Sequence, residues 1–338
     1  MKNGIKNKKV ILAVCGGIAA YKSIEILRLL KKAAAEVRVK LTQNAQWFVG
    51  ALTFEALSGQ PVFRDMFQES SEASLRHIDW AREADGVIIA PATANMIGKL
   101  ANGIADDPLS TFMLAVTSPV LVCPSMNTHM YASQAVQRNL DTLRSDGYFL
   151  MEPGSGQLAC GTTGPGRLPE PEAIFDRFLG CLSPKDLAGK KILVTAGPTI
   201  EPIDPVRYIS NPSSGKMGYA VAWAAAQRGA EVTLISGPTN LENPIGVKTV
   251  RVVSALEMAK AVESHFDESD VVIKTAAVSD YRPETKADQK IKKTATTIDL
   301  HLVQNPDILK ILGKMKKEQI LVGFAAETEN IEENAQLK

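Results

Sequence analysis

The chain has no surplus of charge. It carries 38 Lys and Arg against 37 Asp and Glu, a formal net charge of +1. No overall field therefore draws it to nucleic acid or to an anionic membrane. Cysteine is scarce: Cys15, Cys123, Cys160 and Cys181 lie far apart, without CxxC spacing and without a Cys/His cluster of zinc-ligand spacing. A chain of 338 residues needs no disulfide staples, so this usage predicts a reducing, cytoplasmic setting. No run of about 18 apolar residues is present, which excludes a helical membrane span. The N-terminal apolar run, Val10 to Val14, stops at Gly16-Gly17 and is too short for a signal peptide. Two nucleotide fingerprints are also missing. "AVCGGIAAYK" is not GxGxxG, and "SNPSSGKM" has Ser210 where a P-loop needs glycine and Met217 where it needs Ser or Thr.

Ordinary globular composition is present, with 45% apolar and 22% charged residues. The length suggests two domains of about 150 residues each. Two segments read alike. "KKVILAVCGGIAAYKSIEILRLLKKAAAEVRVKLTQ" is strand, Gly-Gly turn, helix and a strand opening at Glu36. "KKILVTAG" followed by "SSGKMGYAVAWAAAQRGAEVTLISGP" repeats the pattern, with a strand opening at Glu231. The strands are unbroken aliphatic runs, which suit a parallel sheet buried on both faces. Further strands are expected at "GVIIAPA", "VLVCPSM", "DVVIKTAAV" and "ILVGFAAE". The fold predicted is α/β, with two Rossmann-like three-layer domains, each built on a mostly parallel sheet. "GCLSPKDLAGKK" marks the boundary, giving domains 1–185 and 186–338. The chain stops at "ENIEENAQLK" in a helical pattern without a Gly or Asn stop, so the last element is expected to run on.

Several short motifs fall after these strands. Gly16-Gly17 opens a helix, where backbone N–H groups cradle a phosphate or simply make a tight turn; both readings stay open on this stretch alone. Ala92, Thr93, Ala94 and Asn95 follow one strand, and Asn127 follows another, at the carboxyl edge where open α/β sheets bind ligands. A lone Asn is equally a turn-former. His77, entering a helix, reads as a cap or surface residue on spacing alone. Ser213, Ser214 and Gly215 precede a helix, either as donors to a ligand or as an ordinary N-cap. Lys290, Lys292 and Lys293 are a solvated basic face or, beside a nucleotide, a neutraliser of its phosphates. "GQLACGTTGPGR" is glycine-dense and carries one of the four cysteines, Cys160. It reads as a loop unable to form a stable helix or strand.

Together "GGIAAYK", "RHIDWAREADGVIIAPATANMIGKLANGIADD", "PSMN" and "ACGTTGPGR" resemble the flavin-dependent cysteine decarboxylases, in the same order. The second half, with "RYISNPSSGKMG", "AAVSDYRP", "KIKK" and "GFAAET", resembles phosphopantothenate–cysteine ligase. The fusion resembles the bacterial bifunctional phosphopantothenoylcysteine decarboxylase/phosphopantothenate–cysteine ligase family of coenzyme A biosynthesis. The resemblance implies an enzyme that joins 4′-phosphopantothenate to cysteine using CTP and Mg2+ through an acyl-cytidylate. FMN-dependent oxidative decarboxylation to 4′-phosphopantetheine follows, with the substrate's CH2–SH oxidised to a thioaldehyde that acts as electron sink. It implies that Gly16, Gly17, Thr42 and residues 92–95 hold FMN. His77 assists thiol oxidation, Asn127 grips the substrate carboxylate, and Cys160 is the acid on a glycine-rich lid. Ser125 replaces the alanine of the family's "PAMN". In the ligase half it implies Asn211 at the pantothenoyl end and Lys290 on the developing phosphate charge. Lys274, Thr275, Ala276, Asp280, Asn305, Pro306, Asp307, Ile308, Phe324 and Lys338 complete the CTP site. A further family lysine would fall just past Lys338, which puts ligation in doubt. No residue here reads a cytosine by itself, and no set of metal ligands is evident. Trimers or dodecamers of the first half and dimers of the second are implied, with the flavin site built across a subunit contact. A nicotinamide oxidoreductase would need GxGxxG and an acidic residue ending the second strand, and neither is present. A degenerate, non-catalytic relative would be expected to have lost His77, Asn127, Cys160 or Lys290, and all four are here.

Overall fold

The computed structural model describes residues 3–63, 79–159, 161–293 and 297–324. The chain separates into two compact units, Met1–Ser183 and Pro184–Lys338.

In the first unit the strands are β1 (Lys9–Val14), β2 (Glu36–Leu41), β3 (Gly86–Ala92), β4 (Val120–Pro124) and β5 (Phe149–Leu150). They form one parallel sheet in the order β2-β1-β3-β4-β5. The helices are α1 (Lys22–Lys32), α2 (Ala51–Ser58), α3 (Ala94–Ala101), α4 (Pro108–Leu114), α5 (Thr128–Ala132), α6 (Gln134–Ser145) and α7 (Pro171–Leu182). Strand side chains alternate between faces. Ile11, Ala13, Val87 and Ile89 pack with Ile97, Phe112 and Leu140 from α3, α4 and α6. The opposite face is closed by α1 and α7, which pack together. There a Cβ at Gly86 would lie 2.9 Å from Phe178, so the start of β3 requires glycine. The aliphatic runs are therefore buried on both faces, as the sequence indicates.

The second unit repeats the plan. Its strands β8 (Lys191–Ala196), β11 (Glu231–Ser236), β12 (Val247–Arg251), β13 (Val271–Lys274) and β16 (Ile320–Gly323) form a parallel sheet in the order β12-β11-β8-β13-β16. Ile192, Val194 and Ala196 pack on α8 (Lys216–Gln227), while Leu193 faces α9 (Ala255–Phe266) and α10 (Ile308–Met315). Two short antiparallel pairs stand outside the sheet: β9 (Ile200–Pro202) with β10 (Tyr208–Ser210), and β14 (Tyr281–Pro283) with β15 (Leu302–Gln304).

One expectation is overturned. The glycine-dense stretch does form strands: β6 (Gly154–Gln157) and β7 (Thr163–Arg167) make an antiparallel ribbon. Glycine makes this possible rather than preventing it. Gly156, Gly164 and Gly166 have φ of 152°, 154° and 144°, a region closed to other residues. At Gly166 a Cβ would sit 2.1 Å from the Met126 carbonyl oxygen, and at Gly164 it would meet Thr128. The ribbon thus lies flat against the turn after β4, held where Met126 N–H donates to Gly166 O at 3.0 Å.

Lys40 on β2 is the largest buried polar side chain, 1% exposed. Its ammonium has no hydrogen-bond partner among the described residues. It sits 3.5 Å from the Phe63 ring centroid, 4.3 Å from Phe112 and 5.4 Å from Trp80. The aromatic faces offset part of the lost hydration. Burial still lowers the pKa from the usual lysine value to about 7. A lowered folded-state pKa makes the penalty complete below pH 7, and it disappears as pH rises toward the unfolded lysine value. Lys40→Met is therefore expected to raise stability at pH 6–7. Across the window above pH 7 the wild type should recover by up to about 1.4 kcal/mol per pH unit relative to that variant. Parallel pH profiles in urea titrations would refute this. Gly166→Ala is expected to detach the ribbon, accelerating proteolytic cleavage between residues 154 and 167 severalfold; unchanged protection would show that the Met126 contact does not hold it.

Candidate functional sites in the two units

In each sheet the strand order reverses once, between β1 and β3 and between β8 and β13. Such a reversal opens a crevice at the carboxyl ends of the two strands, because their connections leave toward opposite faces.

In the first unit three helix starts meet that edge. After β1, Gly16 packs so closely on the next turn that a Cβ would lie 2.5–2.9 Å from Asn44, whereas Gly17 has open space beside it. Gly17 precedes a 3-10 helix, Ile18–Tyr21, without a side-chain cap. After β2, Thr42 caps the helix Gln43–Trp47, its hydroxyl accepting from Ala45 N–H at 3.3 Å. After β3, Thr93 caps α3, accepting from Met96 N–H at 3.3 Å. Backbone N–H groups and the partial positive charge of helix starts are thereby concentrated on one crevice. Ala92 is fully buried, and its carbonyl accepts from Ser125 N–H, so Thr93, Ala94 and Asn95 are the residues of that turn exposed to a ligand. Two adjoining cavities, of about 490 and 860 Å³, share Gly16, Thr93, Ala94 and Met130 in their walls. The smaller is walled by Ile18, Tyr21, Met126, Asn127 and the ribbon. Asn127 is the N-cap of α5. Its carbonyl caps α5 by accepting from His129 N–H at 2.8 Å, and its amide nitrogen donates to Thr162 Oγ1 of the ribbon at 3.5 Å. Ser125 Oγ donates to Gly166 O at 3.4 Å.

Some nearby groups are structural. Cys15, at the end of β1, is buried, and burial pushes its thiol up to about 12, with hydrogen bonds from Thr93 only partly opposing this. Such a thiol is inert at neutral pH. Cys123 and Cys181 are likewise buried. Lys99 lies 2.6 Å from both Asp106 and Asp107, and Asp107 caps α4, so the "ANGIADD" acids hold that helix. Lys22 ties α1 to the chain after the ribbon through Leu168 O and Glu170. His77 and Cys160 lie outside the described residues, as does Lys338. Among the described residues no group of three or more His, Cys, Asp or Glu is arranged to hold a metal ion.

In the second unit, the chain after β13 is laced to the chain after β8. Ala276 N–H donates to Thr195 Oγ1, Ala277 N–H to Gly197 O, and Ser279 N–H to Thr199 Oγ1. This lacing sets Lys274, Thr275 and Ala276 at the reversal point. Asn211 reaches the same strip, donating to Val278 O at 3.2 Å. Asn305, buried, donates its backbone N–H to Asp280 O at 2.7 Å and its side-chain amide to Ser279 O at 2.8 Å. The turn holding Asn305 and Pro306 is thus fixed to Asp280. Asp307 caps α10, accepting from Lys310 N–H, while Ile308 is core. Phe324 and Lys290 are exposed.

Neither serine caps α8. The N-cap is Gly215, left-handed at φ 73°, with no side-chain cap, and Ser213 Oγ accepts the Gly215 N–H. A Cβ at Gly215 would meet Thr239 at 2.8 Å, so close approach excludes a side chain there. Asn211, Ser213 and Ser214 line a cavity of about 990 Å³ together with Lys216, Thr239 and Arg251. Arg251 donates to Asn243 Oδ1 at 2.7 Å and to Leu241 O, which fixes the loop after β11. Lys216 and Arg251 escaped the sequence reading, because isolated basic residues carry no spacing signal. Asp204 also escaped it, although Asp-Pro is a turn signature.

Residues 2–183 match the family model described as flavoprotein, and residues 187–338 match the DNA/pantothenate metabolism flavoprotein C-terminal domain. The coenzyme A biosynthesis bifunctional protein CoaBC of Bacillus subtilis (strain 168) is 52% identical over 338 residues, 99% of this chain and 83% of that protein. The protein of the same name from Escherichia coli (strain K12) is 48% identical, covering 99% of this chain and 84% of its own length. A crystal structure of the C-terminal domain of a CoaBC protein is 55% identical, covering 45% of this chain and 72% of its own at a TM-score of 0.41. At this identity over nearly the whole sequence, the chain belongs to the CoaBC family of coenzyme A biosynthesis bifunctional proteins.

Proposed function

We propose that residues 1–185 form an FMN-dependent phosphopantothenoylcysteine decarboxylase and residues 186–338 a CTP-dependent phosphopantothenate–cysteine ligase. The observation that carries this reading is the position of the motif residues. Gly16, Thr93 and Ala94 in the first unit, and Lys274, Thr275 and Ala276 in the second, all named by family resemblance, lie at the carboxyl ends of the strands between which the order reverses.

The first crevice suits a flavin mononucleotide. It combines space for a planar ring between Ile18, Tyr21, Met126 and Met130 with uncapped or hydroxyl-capped helix starts for a phosphate. Gly16, Gly17, Thr42, Thr93, Ala94 and Asn95 would hold the group. When bound, FMN supplies a two-electron acceptor that later returns the electrons. The chain's own residues bind, orient and move protons. Asn127 has its carbonyl committed to the α5 cap, so the side it turns to the ribbon is an N–H donor, the polarity a substrate carboxylate needs. Cys160, between β6 and β7 in sequence, is the acid, a role for which an ordinary thiol, protonated at neutral pH, is suited. His77 assists removal of the thiol proton.

In the ligase unit a carboxylate, itself a poor acyl donor, must be activated by a nucleotide. Lys290 neutralises charge building on the phosphates. Lys274, Thr275, Ala276, Asp280, Asn305 to Ile308 and Phe324 form the nucleotide site, completed by Lys338. Asn211 holds the pantothenoyl end, and Ser213, Ser214 and Gly215 present donors beside it. Mg2+ enters with CTP. No helix among the described residues is long and apolar enough to cross a membrane. We place the enzyme in the cytoplasm as a homo-oligomer, trimer-based and possible as a dodecamer, with ligase dimers. Exposed Trp47, Phe48 and Leu52, close in sequence to Thr42, support burial of this face by another copy.

Incubation with phosphopantothenate, cysteine and either CTP or ATP, followed by mass analysis, is expected to give the amide with CTP and then loss of CO2. If neither reaction occurs, the assignment fails. Loss of CO2 only from added phosphopantothenoylcysteine would confine activity to the first unit. Cys160→Ser is expected to stop turnover at the oxidised substrate with the flavin left reduced, followed by loss of yellow absorbance; full turnover in that variant would remove the acid role.

A further inference from the structure

Asp204 is buried, with a side-chain exposure of 0%. It lies in the five-residue loop joining β9 to β10, the hairpin that leads into Asn211. Both carboxylate oxygens are occupied. Oδ1 accepts from Val206 N–H at 2.7 Å and Arg207 N–H at 2.8 Å, which closes the loop on itself. Oδ2 accepts from the Arg207 guanidinium at 2.9 Å and from Ile291 N–H at 3.1 Å. Arg207 then donates from both terminal nitrogens to Ile291 O at 3.2 Å. The peptide groups on either side of one residue are thus gripped, one as donor and one as acceptor. A second strap, Ala287 N–H to Ile203 O at 3.0 Å, holds the same segment four residues earlier. The segment so fixed carries Lys290.

Burial alone would raise the Asp204 pKa; the backbone donors of Val206, Ile291 and Arg207, with the Arg207 charge, outweigh it and hold the carboxyl below its ordinary value. It therefore stays ionised and accepts all four bonds at neutral pH. Among the described residues, no other hydrogen bond ties the 288–293 stretch to the fold. A lysine on an otherwise unpaired loop loses much conformational freedom on meeting a phosphate. Fixing its neighbour's backbone beforehand removes part of that cost.

We propose that Asp204 is the positioning residue of the ligase unit: through Ile291 it holds the Lys290 backbone in register with the arm bearing Asn211. This rests on the reading of Lys290 as the phosphate-neutralising residue. The isosteric Asp204→Asn change tests it, because an amide presents N–H where the site offers only donors and so breaks half of the node at constant volume. Phosphopantothenate-dependent release of pyrophosphate from CTP is measured on the full chain for wild type, Asp204→Asn, Lys290→Gln and the double variant. Asp204→Asn is expected to lower kcat by about 10²-fold, the scale of a misplaced catalytic group. KM for CTP should change far less, since the lost interaction belongs to the transition state. The double variant should be no slower than Lys290→Gln, because Asp204 acts through that lysine. A slow Lys290→Gln enzyme with losses that multiply in the double variant would overturn the proposal while leaving the Lys290 reading intact. Lys290→Gln with wild-type kcat would overturn that reading and the proposal with it. Amide hydrogen exchange on the wild type needs no variant to fold: Ile291 N–H is expected to be protected, and exchange at the rate of an unstructured peptide would also overturn the proposal.

Discussion

A parallel strand covered on both faces has no place for a working polar side chain along its length. That constraint shapes both units. From Val10 to Val14 and from Ile192 to Ala196 the strand residues are buried. Chemistry is then confined to the chain just past the carboxyl end, where the backbone turns toward a helix. Helices alternate in direction with the strands, so their N-termini gather at the same edge. The crevice arises where two neighbouring connections leave toward opposite faces. Its position follows from strand order, and strand order cannot be read from any local segment.

This separates what the sequence makes legible from what it hides. Unbroken aliphatic runs with turn signals were sufficient for the parallel sheets, because double-sided burial leaves no other composition. The repeat of strand, turn, helix and strand was visible for the same reason. The turns holding Gly16, Thr93 and Asn127 could be located at a sheet edge, but not brought to one crevice, since that requires the order β2-β1-β3-β4. In the second unit the same holds for Asn211 and Val278, 67 residues apart and joined by a hydrogen bond. Family resemblance supplied the first of these groupings by motif rather than by physics; the Asn211–Val278 contact it did not name. Asp204 shows the limit of both. Its partner Ile291 is 87 residues away and contributes only backbone, which leaves no mark on residue type.

The glycine-dense stretch forms a ribbon where its composition predicts a loop, and the reason is physical. Glycine is unfavourable in a strand when the strand's conformation is one any residue can adopt. Here the conformation is one that only glycine adopts, and the contact surface is the Met126 carbonyl rather than a side chain. The entropy lost on ordering four glycines is offset by backbone approach that no other residue permits. Glycine content by itself does not separate a mobile loop from a ribbon pressed against a neighbouring backbone; the neighbour decides. In this chain that neighbour is the turn carrying Asn127, so the side of the ribbon that walls the smaller cavity is set by the same contact that orders it.

The two units meet a common demand by different means. In the first, Thr42 and Thr93 use side-chain caps to order the helix starts, and the crevice rim is completed by a ribbon from elsewhere in the chain. In the second, α8 begins on a left-handed glycine without a side-chain cap, and order comes from lacing of backbone segments: 195–199 against 275–279, and the β9–β10 loop against 287–291. A capped helix start is ordered before any ligand arrives and costs little to keep. Laced loops depend on a few hydrogen bonds between segments distant in sequence, so losing one loosens a long stretch. Sensitivity to substitution should accordingly lie close to the crevice in the first unit and extend well away from it, to residues such as Asp204, in the second.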